Sequence, residues 1–276
     1  MHMLKSPAAL LAAALLFSLP AAAQQKPYEP QVGQAGKDVI WVPTPDEVVD
    51  RMLTMAQVTK DDYVVDLGAG NGKIAIAAAK KFGARSLGIE YNSDMARHAQ
   101  GNVVAAGVAG RARIVQGDIF ATNFSDATVV TMYLLPGLNM KLRPTILAMR
   151  PGTRVVSHSF TMEDWEADEI SSMDGRRAYF WVVPANVNGG WSLDTAGEKH
   201  ELAFEQKFQK IEGTIGLAHT QGGLRDARLR GFSISFAWVD DKGVLRNYSG
   251  RVVGSRMEGS WSGDNGSQGR WSATKK

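Results

Sequence analysis

The nine residues Val64-Val65-Asp66-Leu67-Gly68-Ala69-Gly70-Asn71-Gly72 constrain the fold more than any other part of this 276-residue chain. They read as a buried strand that closes on a glycine-rich turn. A helix-forming run, Lys73 to Lys81, follows at once. Strand, tight turn and helix in that order form the first unit of a parallel α/β sheet. Glycine suits the turn because the backbone must reverse sharply and let a ligand approach with no Cβ in the way. The helix start then offers unpaired N–H groups to that ligand.

The spacing narrows the ligand. A dinucleotide fingerprint needs Gly-x-Gly-x-x-Gly, but here Lys73 stands where the third glycine belongs. A phosphate-binding P-loop needs Gly, four residues, then Gly-Lys-Ser/Thr. Counting back from Gly72-Lys73 lands on Leu67, and Ile74 follows the lysine. Asp66 places a carboxylate beside the turn, which suits a cationic, amino-bearing ligand better than a pyrophosphate. Glu90 ends the next strand-like run, Ser86-Leu87-Gly88-Ile89, where an acid accepts hydrogen bonds from ribose hydroxyls. Ile114 to Phe120 repeats the pattern, a strand ending in Asp118.

Alternation of strand and helix continues along the first half. Strands are predicted near 63–67, 86–90, 112–117, 127–133 and 153–158, and helices near 72–82, 93–107 and 139–149. Val129-Val130 and Val155-Val156 sit in short apolar runs, as expected for strands buried on both faces. Asp66, Glu90, Asp118 and Tyr133 all fall at carboxyl ends of strands, where open α/β sheets bind ligands. Upstream, Val42-Pro43-Thr44-Pro45-Asp46 reads as extended chain leading into a helix. Thr44 is predicted to cap that helix, with Glu47 completing a capping box.

Past residue 185 the helical period disappears. Phe232, Ile234, Phe236 and Trp238 alternate with small or polar residues, and Met257, Gly259 and Trp261 do the same. Gln221-Gly222-Gly223, Asp240-Asp241-Lys242-Gly243 and Gly263-Asp264-Asn265-Gly266 are turn signals between them. Many short strands at even spacing predict an antiparallel barrel or sandwich over 186–276. Gly-x-Trp recurs at Gly189–Trp191, Gly259–Trp261 and Gly269–Trp271. There glycine is read as opening a strand and tryptophan as filling the core.

The N-terminus carries a different signal. His2 and Lys5 precede an apolar run from Ala8 to Leu19, Pro20 breaks it, and Ala21-Ala22-Ala23 supplies small residues. Residues 1–23 are thus expected to be a secretory signal peptide cleaved after Ala23. The mature chain would be periplasmic or secreted, with no stable membrane span; an uncleaved signal would anchor it. Residues Gln24 to about Gln34 read as a mobile lead-in. With no cysteine, disulfides and thiolate chemistry are excluded, and five histidines stand outside metal-ligand spacing, so no metal is expected. Net charge is +3 with scattered basic residues, which predicts no nucleic-acid partner.

Taken together, Val42-Pro43-Thr44-Pro45, the Asp66–Gly72 turn, Gly88-Ile89-Glu90, Asp118-Ile119-Phe120 and Tyr133-Leu134-Leu135-Pro136 resemble a methyltransferase family. It is the class I, seven-strand S-adenosylmethionine-dependent fold. The likeness is to the lysine methyltransferases related to those that modify the ATP synthase c-subunit and the adenine nucleotide translocase. The resemblance implies a Rossmann-like, mostly parallel α/β sheet over 24–185. It implies S-adenosyl-L-methionine as cofactor, held by Thr44, Asp66, Gly68, Ala69, Gly70, Gly72, Glu90, Asp118, Ile119 and Tyr133. Asn71 departs from the subgroup, which usually has an acid there. Tyr133 and His158 are the candidate catalytic residues, the first lining an amine pocket and the second as a proton acceptor. Asp164 and Trp165 are candidates for a lid. The implied acceptor is a protein lysine amine, with a small molecule as an open possibility. The alternative is an exported envelope-binding module in which the methyltransferase-like half is a non-catalytic scaffold. It is motivated by the conflict between an export signal and a cytosolic methyl donor.

Overall fold

The computed structural model describes residues 28–195, 197–216 and 221–276. The expected signal peptide, 1–23, lies outside them. Two sheets organise the described residues.

The first is built from β1 (Tyr63–Leu67), β2 (Arg85–Glu90), β3 (Ala112–Gln116), β4 (Val129–Met132), β5 (Arg154–His158), β6 (Glu169–Met173) and β7 (Arg176–Val182). Their order is β3-β2-β1-β4-β5-β7-β6. The first five strands run parallel, and β7 turns antiparallel to β5 and β6. The helices are α1 (Asp46–Met55), α2 (Lys73–Phe82), α3 (Ser93–Ala105) and α4 (Pro136–Leu147). Alternation along each strand sorts side chains between two cores. Val64, Val129 and Val156 pack with Met52 and Leu53 of α1; Val65, Val130 and Val155 pack with Leu142 and Ile146 of α4. Both sets are fully buried, which explains the continuous valine runs.

Three local expectations change. Helix α1 begins at Asp46 with Pro45 as its N-cap residue and no side-chain cap. Thr44 therefore stands one residue too early to cap; its Oγ1 lies 3.2 Å from Nδ1 of buried His158. Helix α4 starts three residues before its predicted position because Pro136 can occupy the first turn, where no N–H is required. The β6–β7 hairpin is an element beyond the five predicted strands, and Asp174-Gly175 turns it with both residues at positive φ, 47° and 76°.

The second sheet contains β8 (Gly189–Thr195), β9 (Glu198–Lys207), β10 (Lys210–Gly216), β11 (Gln221–Gly223), β12 (Arg225–Arg230), β13 (Ser233–Val239), β14 (Leu245–Val253), β15 (Arg256–Gly263) and β16 (Gln268–Lys275). All pair antiparallel in the order β11-β10-β9-β8-β16-β15-β14-β13-β12. Strands β10 and β12 approach each other, so the sheet is a nearly closed barrel. Trp191, Phe204, Phe236, Trp238, Tyr248, Trp261 and Trp271 fill it. Two Gly-x-Trp repeats pair reciprocally: Trp261 faces Gly269 and Gly259 faces Trp271 across β15–β16. A Cβ on Gly269 would sit 2.8 Å from the Trp261 ring, so this glycine makes room for the tryptophan opposite it.

The barrel docks on the first sheet. Ala185 N–H donates to Gly231 O at 2.7 Å. The β9–β10 turn presents Phe208, at φ 56°, to Trp165 and Arg143, with ring centroids 5.9 Å apart and the guanidinium 5.3 Å from the Phe208 ring. A bulky residue at positive φ is strained, and here the strained turn aims its ring into the contact. Among the described residues no helix is long and apolar enough to cross a membrane.

Candidate functional site

The carboxyl ends of the parallel strands surround a cavity of about 300 Å³. Its floor is the glycine turn. Gly68, Gly70 and Gly72 have φ of 79°, 52° and 82°. The N–H groups of Gly68 and Ala69 both donate to Ile89 O at 3.0 Å, which fastens the turn to β2. Gly70 has no alternative: a Cβ there would lie 2.5 Å from Nε1 of Trp41.

Glu90 is held by the backbone at both oxygens. Oε2 accepts from Gly70 N–H at 2.9 Å and Oε1 from Asn92 N–H at 3.0 Å. An ionised carboxylate accepts about four hydrogen bonds, so the fixed group keeps capacity for ligand hydroxyls. Asp66 lies deeper, at 2% exposure, and accepts a hydrogen bond from Thr131 Oγ1 at 2.8 Å. Burial pushes its carboxyl up to about 7, with the nearby Glu90 charge adding to the rise. Asp118 Oδ1 accepts from Phe120 N–H at 2.9 Å, and Oδ2 pairs with Lys37 Nζ at 2.8 Å. The Lys37 hydrogen bond holds the Asp118 carboxyl below the usual carboxylate range.

The far end of the cavity is aromatic and apolar, with Tyr133, Leu135, Leu138 and Phe160. The Tyr133 ring rests on His158, centroids 3.9 Å apart, and faces Phe160 at 6.1 Å. His158 is 3% exposed and stands behind Tyr133 rather than in the cavity wall. Burial pushes its imidazole down to about 4, with Arg176 adding to the fall. Asn139 of α4 donates from Nδ2 to Thr161 O at 3.1 Å, which pins the chain just after Phe160.

Thr44, Asp66, Gly68, Ala69, Gly70, Glu90, Asp118, Ile119 and Tyr133 therefore line one cavity. Gly72 caps α2 beneath it. Trp165 is fully buried between Trp181 and Phe208, so it is a core residue rather than a lid; an indole packed on two rings is not free to cover a ligand. Residues 35–41 carry no predicted element, yet they border the cavity. Gln34, Lys37 and Trp41 supply a whole wall, between the expected lead-in and the proline-flanked approach. Gly33 and Gly36 were the local signal of a turn there.

The ANTKMT methyltransferase domain matches residues 66–169. A protein-lysine N-methyltransferase of Saccharolobus islandicus is 46% identical over 151 residues, covering 52% of this chain and 94% of that protein. The ATP synthase c-subunit lysine N-methyltransferase of Mus musculus is 28% identical over 163 residues, covering 58% of this chain and 65% of that protein. Among solved structures, an RNA methyltransferase from Salinibacter ruber, in complex with S-adenosyl-L-homocysteine, is 47% identical with a TM-score of 0.52. The alignment covers 53% of this chain and 96% of that one.

Proposed function

This chain belongs to the S-adenosylmethionine-dependent methyltransferases of the ANTKMT type, and on that premise we propose that it methylates the side-chain amine of a protein lysine. The cavity fits the cofactor on its own chemistry. Gly70 leaves the floor bare of side chain, Glu90 is locked with spare acceptor capacity, and Asp66 is a buried acid next to the turn. In this reading Asp66 and the glycine turn hold the amino-acid end, Glu90 the ribose, and Asp118 with Ile119 the adenine. When bound, S-adenosylmethionine supplies an electrophilic methyl group on a sulfonium.

The observation that carries the acceptor assignment is the apolar end of the cavity. Tyr133, Leu135, Leu138 and Phe160 place no charge there, so an entering ammonium loses hydration without gaining a counter-ion. Desolvation lowers a lysine pKa and favours the neutral, nucleophilic amine. Buried His158 stays neutral across the physiological range and so adds no repelling charge. Its role is to brace the Tyr133 ring, which orients the amine.

A protein acceptor also fits the cavity mouth. Ile40, Val42 and Tyr91 line it while remaining 40–63% exposed. Clustered exposed apolar side chains mark interaction sites. The Salinibacter relative motivates an RNA acceptor as the competing reading. Against it, the two cations lining the cavity, Lys37 and Lys73, are already paired with Asp118 and Asp46, which leaves little to attract phosphates. The test is transfer from methyl-labelled S-adenosylmethionine in a mixture of protein and RNA acceptors. Label is expected in Nε-methyllysine after protein hydrolysis. Label confined to RNA would overturn the lysine assignment.

A further inference from the structure

The segment that the sequence left unread builds a wall of the cavity. Residues 33–41 form a small hairpin: Gly33 N–H donates to Trp41 O at 2.8 Å, Trp41 N–H to Gln34 O at 2.9 Å, and Gly36 N–H to Val39 O at 2.8 Å. The hairpin reaches three strand ends that are far apart in sequence. Trp41 lies against Gly70 after β1. The Lys37 ammonium stands 4.6 Å from the centroid of the Tyr91 ring, after β2. The same ammonium pairs with Asp118, after β3.

These attachments are light. Val39, Ile40 and Trp41 belong to none of the packed hydrophobic cores of the described residues. Ile40 is 63% exposed. The Lys37 and Asp118 side chains are 38% and 31% exposed, so solvent and salt reach the pair. A segment with few buried contacts and one exposed ion pair opens locally at small cost compared with global unfolding.

We propose that this hairpin is a gate over the methyl-donor site and that Lys37 is its latch, closing by its ion pair with Asp118. The inference rests on the assignment of the cavity to S-adenosylmethionine. Asp118 can serve the latch and a ligand together. Its Oδ1 takes the Phe120 N–H and its Oδ2 the ammonium, which leaves acceptor capacity on both oxygens. The latched hairpin thus encloses a bound nucleoside, and the pair must part for the nucleoside to leave. Lys37 also offsets one of four carboxylates, Asp38, Asp66, Glu90 and Asp118, that line the cavity.

The test measures release of S-adenosylhomocysteine from the full chain by stopped-flow tryptophan fluorescence, with Trp41 in the cavity wall as a reporter. Lys37→Ala is expected to release it about two- to fivefold faster at low salt, the range an exposed ion pair supports. At high salt the wild type should approach the variant, because the latch is screened. Lys37→Arg should restore slow release. Hydrogen exchange at the Gly33 and Trp41 amides of the ligand-free protein should quicken in Lys37→Ala and stay slow in Lys37→Arg. Tight binding with identical release rates in wild type and Lys37→Ala would overturn the latch and leave the donor site standing. Absence of binding by the folded wild type would overturn the donor-site assignment, and the gate with it.

Discussion

Asp66→Asn is expected to stabilise the ligand-free fold while weakening methyl-donor binding. The Asp66 side chain is almost fully buried and has the Thr131 hydroxyl as its polar side-chain partner. Burial raises its carboxyl from 3.8 to about 7. Folding therefore favours the protonated acid, and stability falls as pH rises from about 4 to 7, then levels off. The whole shift corresponds to about 4 kcal/mol. Asparagine keeps the shape and can still accept from Thr131, yet carries no charge at any pH. The variant should gain up to about 4 kcal/mol over wild type at pH 8 and less than half of that at pH 5. Urea denaturation of both proteins at the two pH values measures it. A variant less stable than wild type at pH 8, or a difference that does not grow with pH, would refute the reasoning. The accompanying loss of S-adenosylhomocysteine affinity would show that the buried acid is kept for binding at the expense of stability.

His158→Phe should behave in the opposite sense. Its lowered pKa means that stability is lost as pH falls from about 6.5 to 4, so the variant should gain about 3 kcal/mol relative to wild type across that window, read by urea melts. Glu90→Ala leaves the Gly70 and Asn92 N–H groups without their carboxylate and removes the ribose acceptor; calorimetry should show affinity for S-adenosylhomocysteine falling by about 1–3 kcal/mol. Trp271→Ala removes a buried indole that donates to Ser249 O and Ser260 O, and should cost about 3–5 kcal/mol in denaturant melts. Export through the N-terminal segment would leave a mature protein whose first residue is Gln24, and mass spectrometry of the secreted or periplasmic fraction checks it.

Much of the α/β half was legible because its signals are local. Valine pairs marked strands buried on both faces, and each acid that ends a strand stood next to a turn. The sheet then carried Asp66, Glu90 and Asp118 to one cavity, since parallel strands present their carboxyl ends on the same side. The Gly-x-Trp repeats likewise marked the barrel core, although the reciprocal pairing of Trp261 with Gly269 depends on register. What stayed hidden depends on contacts between distant segments. Thr44 has the spacing of a cap, but a buried imidazole contributed by β5 claims its hydroxyl. His158 reads as a proton acceptor until the fold stacks it behind Tyr133, off the cavity lining, and burial makes its imidazole a weak base. Trp165 reads as a loop residue until the barrel sends Phe208 against it. The hairpin at 33–41 has almost no hydrophobic period to announce it. Its place in the cavity wall depends on Asp118 and Gly70, residues far along the chain, and only tertiary folding brings them within reach of Lys37 and Trp41.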